Sequence, residues 1–273
     1  MSVFKVRQGD GPVILAYPHS GTLVPDEIAA RFNTQGHLLR DTDWHLPTLY
    51  DGLLAGATHV EATFHRYVID ANRDPSGASL YPGQNTTGLI PLTDFDNQPI
   101  WKPGEEPTED DRAMRLERFH APYHAALCAE IERVRRRHGV AILYDCHSIR
   151  SVIPHLFEGR LPDLNIGTDN GKTAAPSIQQ AAADVAAAAA PTFTHVVNGR
   201  FRGGWTTRHY GQPQTGVHAI QMELAQATHL ATESPPFAYD DARAAPLRDT
   251  LSALLNRICL LYTSPSPRDR QKS

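Results

Sequence analysis

The sequence predicts an α/β fold, a central sheet covered by helices on both faces. Three observations lead there: short apolar runs that stop at turn residues, amphipathic stretches of helical period between them, and 41% hydrophobic residues in a chain of 273. That is enough apolar material to bury a sizeable core.

The first strand is "PVILAY", which stops at Pro18-His19-Ser20-Gly21. "PDEIAARF" opens with proline and acids as a helix start does, and "TDWHLPTLYDGLLAG" spaces Trp44, Leu46, Leu49, Leu53 and Leu54 at helical intervals before Gly56. "THVEATFHRYVIDAN" reads as extended. Residues 75–107, rich in Gly, Pro, Asn and Thr, are too long for a simple connection and are expected to wall or cover a pocket.

A long amphipathic helix follows, with Thr108 as N-cap and acids in its first turn. Leu116, Phe119, Tyr123, Leu127, Ile131 and Val134 form its apolar stripe, Pro122 is expected to kink it, and Gly139 ends it. "VAILYDCHS" is a second buried strand. An irregular stretch then runs to about Lys172, followed by an alanine-rich helix near 176–190, a short strand "THVVN", a Gly/Arg-rich loop, the strand "GVHAIQMEL" and a closing helix near 240–260. Residues 1–260 are read as one domain. Residues 261–273 turn Ser/Pro/Arg-rich and are read as a disordered, non-native tail, excluded from fold reasoning.

Composition narrows the function classes. With 26 basic and 30 acidic side chains the formal net charge is -4, and no basic cluster interleaved with aromatics argues for nucleic acid. No window approaches a membrane span and no signal segment opens the chain, so a cytoplasmic protein is expected. Three cysteines, Cys128, Cys146 and Cys259, have no paired spacing and are expected as core residues in a reducing compartment.

Three apolar strands end in chemically loaded residues: His19 in the first, Asp145 and His147 in the second, Glu223 in the third. Ligands of open α/β sheets bind outside the carboxyl ends of the strands, so these side chains are expected to converge. A catalytic zinc commonly takes two His and one carboxylate and leaves a position for water, while a further carboxylate moves the proton. His19 and His147 are the candidate imidazoles and Glu223 the candidate general base. The acid ligand is expected from "RDTDWH": Asp43 is preferred for its place beside apolar Trp44, with Asp41 and Asp145 as rivals. Asp145, on the same strand face as His147, is preferred as the group that orients it. A strand-end histidine is ordinary in a chain with 14 of them, whereas a carboxylate inside an apolar strand is expensive unless paired or coordinated.

Arginines point to an anionic substrate. "HRYVIDANRDP" carries Arg66, Asn72 and Arg73, and "NGRFRGGWTTRHYG" carries Arg200, Arg202, Arg208 and His209 in a glycine-rich loop. Planar guanidinium groups bind carboxylates bidentately, which suits a small dicarboxylate or acyl amino acid.

The blocks "YPHSG", "DTDWH", "FHRYVIDANRDP", "PYHAAL", "LYDCHS", "RGGWTTRHYG" and "HAIQMEL", in that order, resemble the N-formylglutamate amidohydrolase (N-formylglutamate deformylase) family over roughly residues 10–260. The resemblance implies a phosphorylase/hydrolase-like α/β fold with a mixed central sheet, akin to zinc carboxypeptidases. It also implies hydrolysis of N-formyl-L-glutamate to formate and L-glutamate in histidine catabolism. Carried onto this chain it makes His19, Asp43 and His147 the ligands of one divalent ion, zinc. Glu223 becomes the general base. From the arginine clusters themselves, Arg66, Asn72, Arg73, Arg202 and His209 are the candidate substrate contacts, with the arginine roles left unassigned. The chain departs from the carboxypeptidase pattern in having Thr22 where a His-x-x-Glu motif would place its acid. Two other readings remain: a related zinc amidohydrolase acting on another N-acyl amino acid, and a non-catalytic dicarboxylate binder.

Overall fold

The computed structural model describes residues 2–79, 83 and 85–263. Among them, seven strands form one mixed sheet: β1 (Phe4–Arg7), β2 (Val13–Tyr17), β3 (Thr58–Ala62), β4 (Ala141–Ile149), β5 (Leu164–Gly167), β6 (His195–Val197) and β7 (Val217–Ala225). They lie side by side in the order β1-β3-β2-β4-β7-β5-β6. The centre, β3-β2-β4-β7, is parallel, while β1 and β5 join it antiparallel and β6 runs parallel to β5. The three strands with reactive ends, β2, β4 and β7, are therefore consecutive and point the same way.

Parallel central strands are covered on both faces, and every residue of β2, β4 and β7 is buried. Alternation splits them. Leu15, Tyr17, Tyr144, Cys146 and Met222 face a core built with α2 (Leu46–Tyr50), α5 (Pro176–Ala188) and α7 (Asp241–Thr263). Ile14, Leu143 and Ala219 face the other way, onto α1 (Asp26–Ala29) and α4 (Ala121–His138) through Ile28, Tyr123, Leu127 and Ile131. The same alternation sends Asp145, His147, Gln221 and Glu223 to this second face.

The predicted long helix is present in three pieces: α3 (Glu109–Arg115), a π-helical turn (Leu116–His120) and α4. Its start is a capping box. The Thr108 hydroxyl accepts from the Asp111 amide at 3.2 Å, and the Asp111 carboxylate accepts from the Thr108 amide at 2.8 Å. Gly139, at φ 73°, ends it. Pro122 has no N–H for the carbonyl four residues back, and the helix absorbs that gap as a π turn where a kink was expected.

Other differences have local causes. Only Thr58–Ala62 of the predicted extended stretch pairs as a strand, because the chain leaves the sheet to build a turn at residues 70–73. β1 and β5, four residues each, and α6 (Trp205–Tyr210), six residues inside the Gly/Arg-rich loop, are too short to leave a periodic signal. Of the three cysteines only Cys146 is a core residue. Cys128 is exposed on the outer side of α4, where Leu127 and Ile131 take the inward places, and Cys259 is half-buried; all three are free. No described helix is long and apolar enough to cross a membrane. Residues 261–263 continue α7, and the rest of the expected tail, 264–273, lies outside the described residues.

Candidate active site

At the carboxyl ends of β2, β4 and β7 a cleft of about 290 Å³ opens, walled by His19, Asp43, His147, Gln221 and Glu223 and roofed by residues 77–79, 85–89 and Leu156. His19 stands two residues past β2, His147 lies within β4, and Glu223 pairs directly with His147 across the β4–β7 ladder. Asp43 comes from the coil before α2. Its amide donates to the His19 carbonyl at 3.1 Å, and its Oδ2 accepts from the Ser148 amide at 3.1 Å, which ties the coil to both strand ends.

The three residues offer ligand atoms within 4.8 Å of one another, and all three are buried. Each imidazole presents Nδ1 to the same Asp43 Oδ2, His147 at 3.1 Å and His19 at 3.8 Å. Each turns Nε2 to another carboxylate. His19 Nε2 donates to Asp70 Oδ1 at 2.6 Å, and His147 Nε2 lies 3.1 Å from Asp145 Oδ1, a buried oxygen that meets no other donor among the described residues. With a cation bound, a proton on Nε2 of each ring would satisfy those acids and leave both Nδ1 lone pairs facing Asp43. That donor set, two nitrogens and a carboxylate oxygen with an acid behind each imidazole, fits a zinc-like divalent cation.

Electrostatics agree. Burial and the Arg66 guanidinium push the His19 pKa down, so its ring is neutral and can offer a lone pair. Burial lowers the His147 pKa, but the facing Asp145 and Asp43 outweigh it and hold that ring well above its usual value, so two buried acids demand positive charge between them. Asp70 is pushed up by burial, but Arg66, Arg73 and His19 overcome this and hold it well below the usual carboxylate range. It is thus a permanent anion behind His19. Its replacement, Asp70→Asn, is expected to weaken divalent-cation binding by about 10- to 100-fold, the usual scale for groups that orient a metal-binding histidine. Titration against a competing chelator measures it, and unchanged affinity would deny Asp70 that role.

Glu223 stands outside the ligand cluster. Burial pushes its carboxyl up to about 8, against the pull of His147. Gln221 holds it: its Oε1 accepts from the Gly204 amide at 2.6 Å, which leaves Nε2 to donate to Glu223 Oε2 at 3.2 Å. A side chain at position 204 would push against the Asn72 amide, which the Thr206 amide holds at 2.8 Å, so glycine leaves Asn72 in place.

The remaining residues singled out from sequence divide. Arg66, Asn72 and Arg73 line the cleft. Arg66 donates to Asp70 Oδ2 at 2.6 Å and to His19 Nδ1 at 3.3 Å, one hydrogen bond from the ligand position. Arg73 donates to the Thr87 carbonyl and hydroxyl at 2.9 and 3.0 Å and so straps the roof. Arg202 and His209 do not line the cleft. Arg202 is exposed, with Nε turned back to the Gly199 carbonyl at 3.2 Å, and His209 is exposed on α6, stacked on Trp205 at 4.3 Å. The same loop sends Arg200 into the cleft instead, held by the Asn85 and Leu156 carbonyls at 3.0 and 3.1 Å. Asp41 lies apart from the cluster, its Oδ2 accepting from Tyr67 and the Phe95 amide. Sequence reasoning missed Asp70 and Gln221, although each is a polar residue inside an apolar run, the signal that exposed Glu223.

The chain is similar to known proteins. The family model for N-formylglutamate amidohydrolase matches residues 11–230. N-formylglutamate deformylase of Pseudomonas putida is 43% identical over 257 residues, 94% of this chain and 95% of that one. The deformylase of Pseudomonas aeruginosa is 42% identical, covering 93% and 96%. Among solved structures, N-formylglutamate amidohydrolase from Ralstonia eutropha JMP134 superposes with a TM-score of 0.79 at 24% identity over 96% and 98% of the two chains. A gene product of Agrobacterium tumefaciens gives 0.67 at 20% identity over 94% and 95%.

Proposed function

The chain belongs to the N-formylglutamate amidohydrolase family, its reaction is the hydrolysis of N-formylglutamate, and we propose that a divalent cation, zinc first, held by His19, Asp43 and His147 promotes it. The observation that carries this is the pair of imidazoles, each backed by a carboxylate at Nε2 and facing Asp43 with Nδ1, beside a glutamate outside the ligand set. A bound cation would supply Lewis acidity, polarising the formyl oxygen and lowering the pKa of water toward 7.

The chain's own residues do the rest. A bound cation's charge would offset the burial that pushes the Glu223 carboxyl up, and the carboxylate would then take a proton from the attacking water as the water's oxygen bonds to the formyl carbon. It returns that proton to the glutamate nitrogen as the C–N bond breaks, giving formate and free L-glutamate. Gln221 keeps the carboxylate aimed. Arg66, one hydrogen bond from His19 Nδ1, donates to the oxygen that gains charge, and Asn72 and Arg73 hold substrate carboxylate groups. The roof shields the reacting centre from bulk water.

The wider assignment follows from the same reading: a single catalytic domain over residues 1–260, a phosphorylase/hydrolase-like sheet, a cytoplasmic setting, and a place in histidine catabolism. Formate release from N-formyl-L-glutamate tests the core of it. Turnover is expected to vanish after dialysis against a chelator and to return when zinc is added. Full turnover in the dialysed protein would remove the cation from the mechanism.

A further inference from the structure

The turn at residues 70–73 carries three groups into the cleft. Asp70 backs His19, Asn72 stands 3.1 Å from His147 Nε2, and Arg73 straps the roof. Inside the turn, Asp70 Oδ1 accepts from the Asn72 amide at 2.8 Å and the Asp70 carbonyl from the Arg73 amide at 3.2 Å. Its outward carbonyls are met by one helical face. His124 Nε2 donates to the Ala71 carbonyl at 2.8 Å and His120 Nε2 to the Arg73 carbonyl at 3.1 Å, and Arg115 Nη1 donates to the Val68 carbonyl, just before the turn, at 3.0 Å.

Carbonyl oxygens only accept, so both imidazoles carry their proton on Nε2. His124 Nδ1 is then the acceptor for the Tyr210 hydroxyl at 3.0 Å, and Trp205 packs against the His124 ring at 4.8 Å and the His120 ring at 5.6 Å. Burial pushes His120 down and His124 to about 3, so both rings stay neutral.

The spacing of this row explains the π turn. Residues five apart lie about 140° from each other around an α-helix, so Arg115 and His120 would face different directions in an unbroken one. The π turn at Leu116–His120 adds the residue that brings them onto one side, and His124, one α turn on, continues the row.

We propose that His120 and His124 are positioning residues for substrate binding: they hold the backbone of the 70–73 turn so that Asn72 and Arg73 meet the substrate's carboxylate groups. The inference rests on the deformylase reading of the cleft. It assigns the two histidines no contact with substrate or cation.

Steady-state kinetics of formate release from N-formyl-L-glutamate tests it, with His120→Leu, His124→Leu, the corresponding Gln variants, and Leu127→Ala as a control on the same helix. Loss of one buried hydrogen bond to the turn is expected to raise KM roughly tenfold while kcat stays within about threefold. The Gln variants, whose Nε2 replaces that of the imidazole, are expected to recover most of it. Leu127→Ala, which opens a cavity in the core, is expected to lower Tm without moving KM. His124→Asn, polar but too short to reach the Ala71 carbonyl, gives the same KM rise should the Leu variant not fold. An unmoved KM in the Leu variants, or an equal rise in Leu127→Ala, overturns the positioning role and leaves the deformylase reading intact. Absence of wild-type turnover overturns both.

Discussion

Glu223→Gln is expected to lower kcat for N-formyl-L-glutamate by about 10² to 10⁴, the range general acid–base catalysis supplies. Gln has the shape of Glu and can accept a hydrogen bond, but it cannot take a proton from water or carry one to a leaving nitrogen. The site isolates that difference. Glu223 lies outside the group of ligand atoms formed by His19, Asp43 and His147, so the variant is expected to bind as much metal as the wild type. Its neighbour Gln221 is pinned by the Gly204 amide and still presents Nε2 to whatever oxygen stands at 223. The new amide rotates its oxygen to that donor, and the cleft keeps its shape. The measurement is kcat with metal content determined on the same preparation. Activity within about tenfold of wild type at full metal loading would remove Glu223 as the base.

Why was this much of the site legible without a structure? Central parallel strands are buried on both faces and read as unbroken apolar runs, so a polar residue within one or at its end stands out against a cost that sequence alone reveals. His19, His147 and Glu223 stand out this way because β2, β4 and β7 are such strands, and the three strands lie side by side. Asp43 was harder. It sits in coil with no period, and its place is fixed by a backbone hydrogen bond to His19 that no pattern encodes.

Loop residues are hard to place for the same reason. Arg200, Arg202 and His209 share a stretch whose composition suggested anion binding, but which of them enters the cleft depends on the path of the loop and on α6. Six helical residues there turn His209 outward onto Trp205. Asp70 escaped because its run, Tyr67–Ala71, looks like a strand and is in fact a turn, so the oxygen behind His19 could not be placed. Pro122 predicts a kink, and the helix takes a π turn there. That form, which aligns Arg115, His120 and His124, required the carbonyl groups of the opposing turn to make sense.

Removing the ligands themselves is the harsher test. His19→Ala combined with His147→Ala is expected to leave the purified protein without bound divalent metal and with formate release no higher than the chelated wild type. Two of three donors are lost, and the remaining carboxylate of Asp43 holds a divalent ion only weakly when alone. Stability moves too, and in a direction that identifies the cause. His147 stands between Asp43 and Asp145, at 3.1 Å from each, so its loss leaves two buried acids without the positive charge they share. His19→Ala strips Asp70 of one partner, yet Arg66 remains on its other oxygen at 2.6 Å. The single variant His147→Ala is therefore expected to lower Tm more than His19→Ala, while either alone weakens metal binding. Equal metal content in the double variant and the wild type would show that the ion, if one binds, sits elsewhere, and the convergence of β2 and β4 at this rim would then need another purpose.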